Sequence, residues 1–595
     1  MAATIQARRI VGLQAALCIA SLLAACAQPP AGRGAGPSPR ENSTADQPAQ
    51  HKTLVMGMGA VLDAFSIAGS SNTGGGRLGF IEIHSQALFT ADKTTGRPIP
   101  RLLAEQPTQD NGGLRLLPDG RMVATYKLRP DVKWADGVPL NSHDLLFTFQ
   151  MLQERSLPFI DIGPSTLMES AEAPDDRTFA ITWKQPYYMA DAIGLRAFWP
   201  MPAHLLEEDF DSLVVGQKDT AGFLAKPYWT TAYVHVGPFK LMEFTPGEDV
   251  IFDAVPDYFL GRPKVDRIIV RQVADPNTLF ADVLSGSIDF GSDNVLPPTQ
   301  ALDLKARWDE SGAGRVYIGT GTTQFLALQF DSSVPGYSPV ILDKQVRRGL
   351  YQAIDRDSYA DVIVGVPGHA GDAILPPDDP LYSYVKDGFK NAYPYDRARA
   401  LRTLEGDGWR RGADGILTNA AGEHIKVQIK IGASSQRQGA LINDMWHQIG
   451  VDSDIYVTPP ARVADREFSQ AFPGGEIVGR GSHDAVLTRL ECGEIPAARN
   501  AYAGNNRGHW CNEEYDRLVN AYRTDLTEAG RGQTMARIQD LLVDELPLLL
   551  LNVNIANVFA RTGVTAFADD FAGGSEAGRL YGTYSRNAHE WDVRS

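Results

Sequence analysis

Basic charge, cysteine, long apolar runs and enzyme signatures are what this 595-residue chain has least of, and each shortage removes a class of function. Lys and Arg number 56 against 72 Asp and Glu, for a formal net charge of −16. The long-range field therefore repels phosphate backbones and anionic lipid surfaces, and no nucleic-acid partner is expected. No internal repeat is visible, and no apolar run beyond residue 25 approaches the ~20 residues of a membrane-spanning helix. His-Glu-x-x-His, Gly-x-Ser-x-Gly, the dinucleotide fingerprint and metal-spaced His clusters are all missing. Gly74-Gly75-Gly76 is followed by no Gly-Lys-Ser/Thr, so these glycines let backbone approach a ligand rather than cradle phosphate. The pairs Asp175-Asp176 and Asp378-Asp379 sit in Pro-containing turns and read as solvated charge. The chain reads as no enzyme and as needing no cofactor. The enzyme alternative is a secreted hydrolase with catalytic residues scattered along the sequence, since a triad is recognised in space.

What is present is a full globular composition. Hydrophobic residues make up 43%, and 24 Phe, 20 Tyr and 9 Trp supply ample apolar surface to offset chain ordering. At about 100 to 200 residues per domain the length predicts about three to five structural units.

The N-terminus has three parts. Arg8 and Arg9 precede the mostly apolar IVGLQAALCIASLL, and Leu23-Ala24-Ala25-Cys26 follows. This is the layout of a secretory signal over residues 1–25. The last four residues resemble a bacterial lipobox, which implies lipid on the Cys26 sulfur and cleavage just before it. An ordinary signal peptide or an uncleaved anchor is the alternative. Residues 26–50 are then the lipidated cysteine and a Pro/Gly/Ala/Ser/Gln-rich tether, with a folded body from near His51. With Cys18 in the signal and Cys26 as anchor, Cys492 and Cys511 remain. In an oxidising compartment such a pair favours a disulfide closing a local loop. A metal site using Cys492, His509 and Cys511 is the alternative, although no fourth ligand at finger-like spacing accompanies it.

Along the body, strand-like runs occur at Thr53–Met56, Met122–Leu128, Thr178–Trp183, Val250–Phe252, Arg267–Val273, Gln324–Phe330 and Ile425–Ile431. Leu546–Leu551 with the following Asn552–Ala560 reads as a buried strand. Helical segments are expected behind the caps Asn141, Asp343 and Asp396, near Glu514–Tyr522, and from about Arg531 to Leu542. Mixed strands and helices of this kind predict α/β lobes.

From Tyr126 the chain reads YKLRPDVKWADGVPLNSHDLLFTFQML: a strand, a turn on Arg129-Pro130-Asp131, a hairpin closed by Trp134-Ala135-Asp136-Gly137, and a capped helix. Further blocks follow in order. They are Val236-Gly237-Pro238-Phe239-Lys240 with FTPGEDVIFDAVPDYFLGRPKVDRIIVRQVADPNTLFADVLSGSIDF, then VRRGLYQAIDRDSY, Leu375-Pro376-Pro377, YDRARALRTLEGDGW with Asp414-Gly415, WCNEEYDRLVNAY, and Asp544-Glu545-Leu546-Pro547. Together they resemble the extracytoplasmic solute-binding proteins, family 5, which include oligopeptide-, dipeptide- and nickel-binding components of ABC importers.

The resemblance implies a two-lobed periplasmic-binding-protein fold of class II, with mixed sheets, a hinge between lobes and an extra domain on lobe one. Mapped here, lobe one takes residues 51–82, 201–320 and a return over 545–595, the extra domain 83–200, and lobe two 321–544. It implies capture of oligopeptides by hinge closure and delivery to the transmembrane subunits of an ABC permease, by a monomer held at the membrane through its lipid alone, in the periplasm or at the cell surface. A nickel chelate, a sugar or an opine in the same fold, and a signalling or adhesion lipoprotein, are the alternatives. The implied ligand-binding residues are Gly69, Ser70 and Ser71 of the loop after the first strand, Phe159, Arg466, Arg480 and Asp484. Peptide-binding members hold the ligand's amino terminus with an Asp after an aromatic-containing turn. Here the stretch is Gly479-Arg480-Gly481-Ser482-His483-Asp484, without the family's Trp and Asp-Tyr-x-Asp-Pro pattern, and Asp484 is the nearest acid.

Overall fold

The computed structural model describes residues 51–62, 64–65, 78–157, 163–194, 197–462, 465–480, 483–500, 502, 504–567 and 582–594. The expected signal and tether with Cys18 and Cys26, and the proposed Gly69, Ser70, Ser71 and Phe159, lie outside them. For Arg480 and Asp484 the backbone alone is described.

Two long strands, Gly314–Leu328 and Leu548–Arg561, organise the molecule. Nearly every residue of the second is buried, as expected of a central strand covered on both faces, and its Leu-Leu-Leu-Leu run is the sequence trace of that burial. The strands pair antiparallel from Gly314↔Arg561 to Thr320↔Ile555, slip, pair again at Thr323↔Val553 and Gln324↔Asn552, and after a second shift run on from Phe325↔Leu550 to Ala327↔Leu548. Around the first half stand Phe290–Gly291, Thr53–Met58, Arg267–Gln272, Val250–Ala254 and Phe239–Glu243. Around the second half stand Gly475–Arg480, Lys426–Ile431 and Asp452–Val457. The sheets of the two lobes thus run into one another as a single ten-stranded sheet, joined through two strands and an irregularity in their register.

Apolar packing divides along the same line. One core gathers Leu54, Phe252, Ile268, Phe290 and Trp591, and another gathers Phe325, Leu350, Ile429, Trp446, Val519 and Leu549. A third surrounds the antiparallel four-stranded sheet Leu114–Leu116, Met122–Lys127, Thr178–Trp183, Met168–Asp175, in that order, and contains Tyr126, Trp134 and Trp183.

The WADG…NSHD segment is explained by one carboxylate. Asn141 caps the helix Ser142–Gln153 in a capping box with Asp144. Buried Asp144 also accepts hydrogen bonds from the Trp134 indole Nε1 at 3.2 Å and the Ala203 amide at 2.9 Å, tying the hairpin, its own helix and the helix Ala203–Asp209 together. The last segment returns in similar fashion. Buried Glu82 accepts from the Thr90 hydroxyl at 2.9 Å and from the Thr583 amide, while Arg101 donates to Arg586 O and Asn587 Oδ1. Burial raises the Glu82 carboxyl above its ordinary range, and Arg101 pulls it back.

Candidate functional site

In open α/β sheets, ligands sit outside the carboxyl ends of the parallel strands, because loops and helix N-termini converge there. In the first lobe, Thr53–Met58 runs parallel to Arg267–Gln272 and to Phe290–Gly291. In the second, Lys426–Ile431 runs parallel to Asp452–Val457 and to Gly475–Arg480. The long strands fix how these edges meet. Arg480 pairs with Thr323 just beyond the register slip, and Gly291 pairs with Phe559 on the other side of it. Both carboxyl edges therefore face each other across the strand crossing.

The crossing carries polar side chains in a run that is otherwise apolar. Asn552 Nδ2 donates to Asn554 Oδ1 at 2.8 Å, and Asn554 Nδ2 donates to Thr322 Oγ1 at 3.2 Å. On the adjoining half, Gln438 Nε2 donates to Gln324 Oε1 at 2.7 Å, which links the first turn of the helix Gln436–Gln448 to the long strand. Thr322, Gln324 and Asn554 are half-buried. His369 Nδ1 lies 2.9 Å from Val553 O. A carbonyl only accepts, so Nδ1 is the donor of this bond. On the first-lobe side, Asn294 Oδ1 accepts from the Asn557 amide at 2.9 Å. Asp293 and Asn294 both hold left-handed backbone (φ 56° and 59°), a conformation Asp and Asn tolerate better than most residues. These amides and His369 are functional candidates that sequence reading passed over. The trace they leave is polar residues at Asn552, Asn554 and Asn557 inside an apolar strand, where each needs a partner.

Of the residues named from sequence, the structure brings three to one edge. Arg466 opens the short helix Arg466–Gln470, after the loop that follows Asp452–Val457. Arg480 ends its strand, and Asp484 lies in the helix His483–Thr488 directly after it. Arg466 is exposed, and no ion pair or hydrogen bond engages its side chain among the described residues. Its neighbour Asp465 caps that helix and pairs with Arg462 at 3.0 Å. Ahead of the stretch that contains Gly69, Ser70 and Ser71, Leu62 N donates to Gln272 Oε1 and Phe65 N donates to Trp229 O at 2.9 Å.

Beneath the second-lobe edge lies a buried charge cluster. Lys430 Nζ donates to Ser469 O at 2.6 Å, stands 3.5 Å from Glu476 Oε1, and sits over the rings of Phe468 and Phe472. Arg507 closes on the other Glu476 oxygen at 3.2 Å. Burial pulls the Lys430 ammonium down from its ordinary range and Glu476 pulls it back. The cluster ties the ends of two strands to the segment bearing Arg466. Cys492 and Cys511 are joined by a disulfide, so neither thiol is free for metal. His509 Nε2 donates to Gln470 Oε1 at 2.7 Å, and Nδ1 lies 3.5 Å from Asp331.

With this geometry in view, the model of the bacterial extracellular solute-binding proteins, family 5 (middle region), matches residues 103–485. The chain belongs to this family. It is similar to Protein XP55 of Streptomyces lividans, 27% identical over 439 residues that cover 71% of this chain and 72% of that one. It is also similar to a Brucella ovis protein that bears the name of an ABC transporter peptide-binding protein, 30% identical over 295 residues. That match covers 49% of this chain and 50% of the Brucella protein, so about half of each is compared. Among solved structures it resembles the oligopeptide-binding protein of Thermus thermophilus in complex with a pentapeptide. The TM-score is 0.73 at 22% identity, covering 91% of this chain and 96% of that one, a likeness of fold. Family 5 members are solute-binding proteins that lie outside the cytoplasm, and the α/β architecture here is their two-lobed fold. No helix among the described residues is long and apolar enough to cross a membrane.

Proposed function

We propose that this family 5 protein is the lipid-anchored receptor of an ABC importer, which captures oligopeptides between its lobes and hands them unchanged to the permease. The observation that carries the reading is the meeting of two carboxyl edges across a two-strand crossing lined by half-buried amides and hydroxyls. Groups that both donate and accept are what a peptide main chain requires, whatever its side chains. Solute touching both edges favours the closed arrangement by its differential affinity for it. The peptide class is supported by the name of the Brucella relative and the pentapeptide in the Thermus protein. In this reading Asp484 takes the amino terminus, and Arg466 and Arg480 take main chain or carboxylate. Gly69, Ser70 and Ser71 offer backbone groups, and Phe159 offers a ring. Cys26 carries the lipid, residues 1–25 are removed, and the lobes divide as 51–82, 201–320 and 545–595 against 321–544, with 83–200 as the extra domain of a monomer.

A non-peptide solute is the second reading, favoured by one observation: Gly479–Asp484 lacks the aromatic and the Asp-Tyr-x-Asp-Pro pattern of peptide-binding members. The two are separated by mass spectrometry of whatever co-purifies with residues 27–595, followed by melting-temperature screens of peptides, metal chelates and sugars. A solute at 100 times its Kd adds about 2.7 kcal/mol of stability. Peptides that raise the melting temperature support the first reading, while a sugar or chelate that does so alone moves the protein to the second. Asp484→Asn is expected to weaken a peptide with a free amine about tenfold or more and to spare its acetylated form. Equal losses for the two would remove Asp484 from the amine site.

A further inference from the structure

The strand crossing is not the sole link between the extra domain side and the second lobe. The segment Lys184–Asp191, which leaves the strand Thr178–Trp183, reaches the turn between the antiparallel helices Glu513–Thr524 and Glu528–Glu545. Tyr188 N donates to Arg523 O at 3.0 Å, and Gln185 Nε2 donates to Asn520 Oδ1 at 2.6 Å. The Tyr188 ring meets Tyr522 edge-on, centroids 5.2 Å apart, and lies 4.7 Å beneath the Arg531 guanidinium. Among the described residues, Tyr188 packs against both the extra-domain core and the second-lobe core.

Both halves of this contact are held firmly by their own side. On the extra domain, Tyr126 donates to Ala190 O at 2.7 Å and Gln106 donates to Asp191 O at 3.3 Å. On the second lobe, Arg523 forms a two-point pair with Glu491 at 2.7 and 2.8 Å. Glu491 adjoins Cys492, whose disulfide and whose amide bond to Asp516 fix the base of that helix pair. The position also matters. The helix Glu528–Glu545 passes through Pro547 into the strand start at Leu548, far along that strand from the crossing near Val553. At 1.5 Å per residue its 18 residues run back roughly 27 Å.

We propose that the segment Lys184–Asp191 is a clasp: it docks on the helix turn when the lobes close, so that part of the closure free energy comes from a contact the solute never touches. The proposal rests on the reading of this protein as a closing receptor. Its consequence follows from population arithmetic. Weakening the clasp lowers the closed population, and apparent affinity falls by the same factor for every solute, with the order of preference among solutes unchanged. A residue lining the solute would instead change that order.

The test measures closure without solute. Nitroxide labels on Asp110→Cys in the extra domain and Glu405→Cys in the second lobe, both exposed in residues 27–595, report the distance between them by pulsed electron resonance. Tyr188→Ala is expected to lower the ratio of short to long distances about tenfold, as loss of one ring–cation contact and its packing implies. The pair Gln185→Ala with Asn520→Ala lies at the rim of the contact and is expected to shift the ratio in the same direction by about threefold, so the test stands if Tyr188→Ala fails to fold. Distance distributions of the folded variants that superimpose on the parent overturn the clasp, including the case in which the parent shows long distances alone. Adding solute to the labelled parent separates the two claims. Closure on solute with no effect of the variants sinks the clasp and leaves the receptor reading. A variant effect without any solute response does the reverse.

Discussion

Asp191 shows how much a single residue can reveal that its letter in the sequence does not. Burial pushes its carboxyl up to about 6, against the pull of Arg531 in the second lobe. The unfolded chain releases that proton near pH ~3.9, so between about pH 4 and about pH 6 the folded chain holds a proton the unfolded chain has lost. Stability contributed by this group is therefore greatest below that window and is lost as pH rises through it, by at most about 3 kcal/mol at ~1.4 kcal/mol per pKa unit. Denaturant midpoints measured from pH 4 to 7 in parent and Asp191→Asn are expected to differ in slope over the window, the variant being flatter; equal slopes would contradict the assignment. Legibility at this scale depends on range. The caps Asn141, Asp343 and Asp396 act within three residues and are readable as such. The Gln438–Gln324 bond spans 114 residues and leaves no local trace.

At the scale of elements, the crossing strands show why sequence reading found one and half of the other. Leu546–Leu551 with Asn552–Ala560 reads as a single buried strand, and the structure has Leu548–Arg561. Its partner reads as a strand at Gln324–Phe330, whereas the structure extends it back to Gly314. The missed half, GRVYIGTGTT, carries three glycines, which weaken any strand pattern, yet at the crossing a glycine is what permits the approach. A Cβ on Gly321 would stand 2.9 Å from the carbonyl of Ile555 and 3.0 Å from Asn554 O, backbone atoms that cannot step aside alone. Gly321→Val is expected to cost about 1 to 3 kcal/mol of stability and to shift the distance between lobes. Unchanged melting with unchanged interlobe distance would show that the crossing has slack. The disulfide acts at the same scale. Replacing Cys492 and Cys511 by Ser opens a loop across 19 positions and is expected to lower stability by about 3 kcal/mol in chemical denaturation, whereas a loss below about 1 kcal/mol would show that packing alone holds the loop.

For the whole molecule, the order of seven sequence blocks carried the architecture, because each block marks a local device: the Asp144 hub, the glycine turns, the capped helices. What stayed illegible is the lining of the site. The candidate site lies where the carboxyl ends of Thr53–Met58, Phe290–Gly291, Lys426–Ile431, Asp452–Val457 and Gly475–Arg480 meet, and the order of these strands in the sheet is set by topology alone. The continuous ten-stranded sheet has the same origin, since the pairing of Gly314–Leu328 with Leu548–Arg561 spans more than two hundred residues.

Small-angle scattering of residues 27–595, recorded alone and with each member of a peptide panel whose integrity is followed by mass spectrometry, tests the central claim most directly. The account predicts that at least one peptide reduces the radius of gyration and is recovered intact. Curves that coincide for every solute, together with cleavage of any peptide, would contradict it.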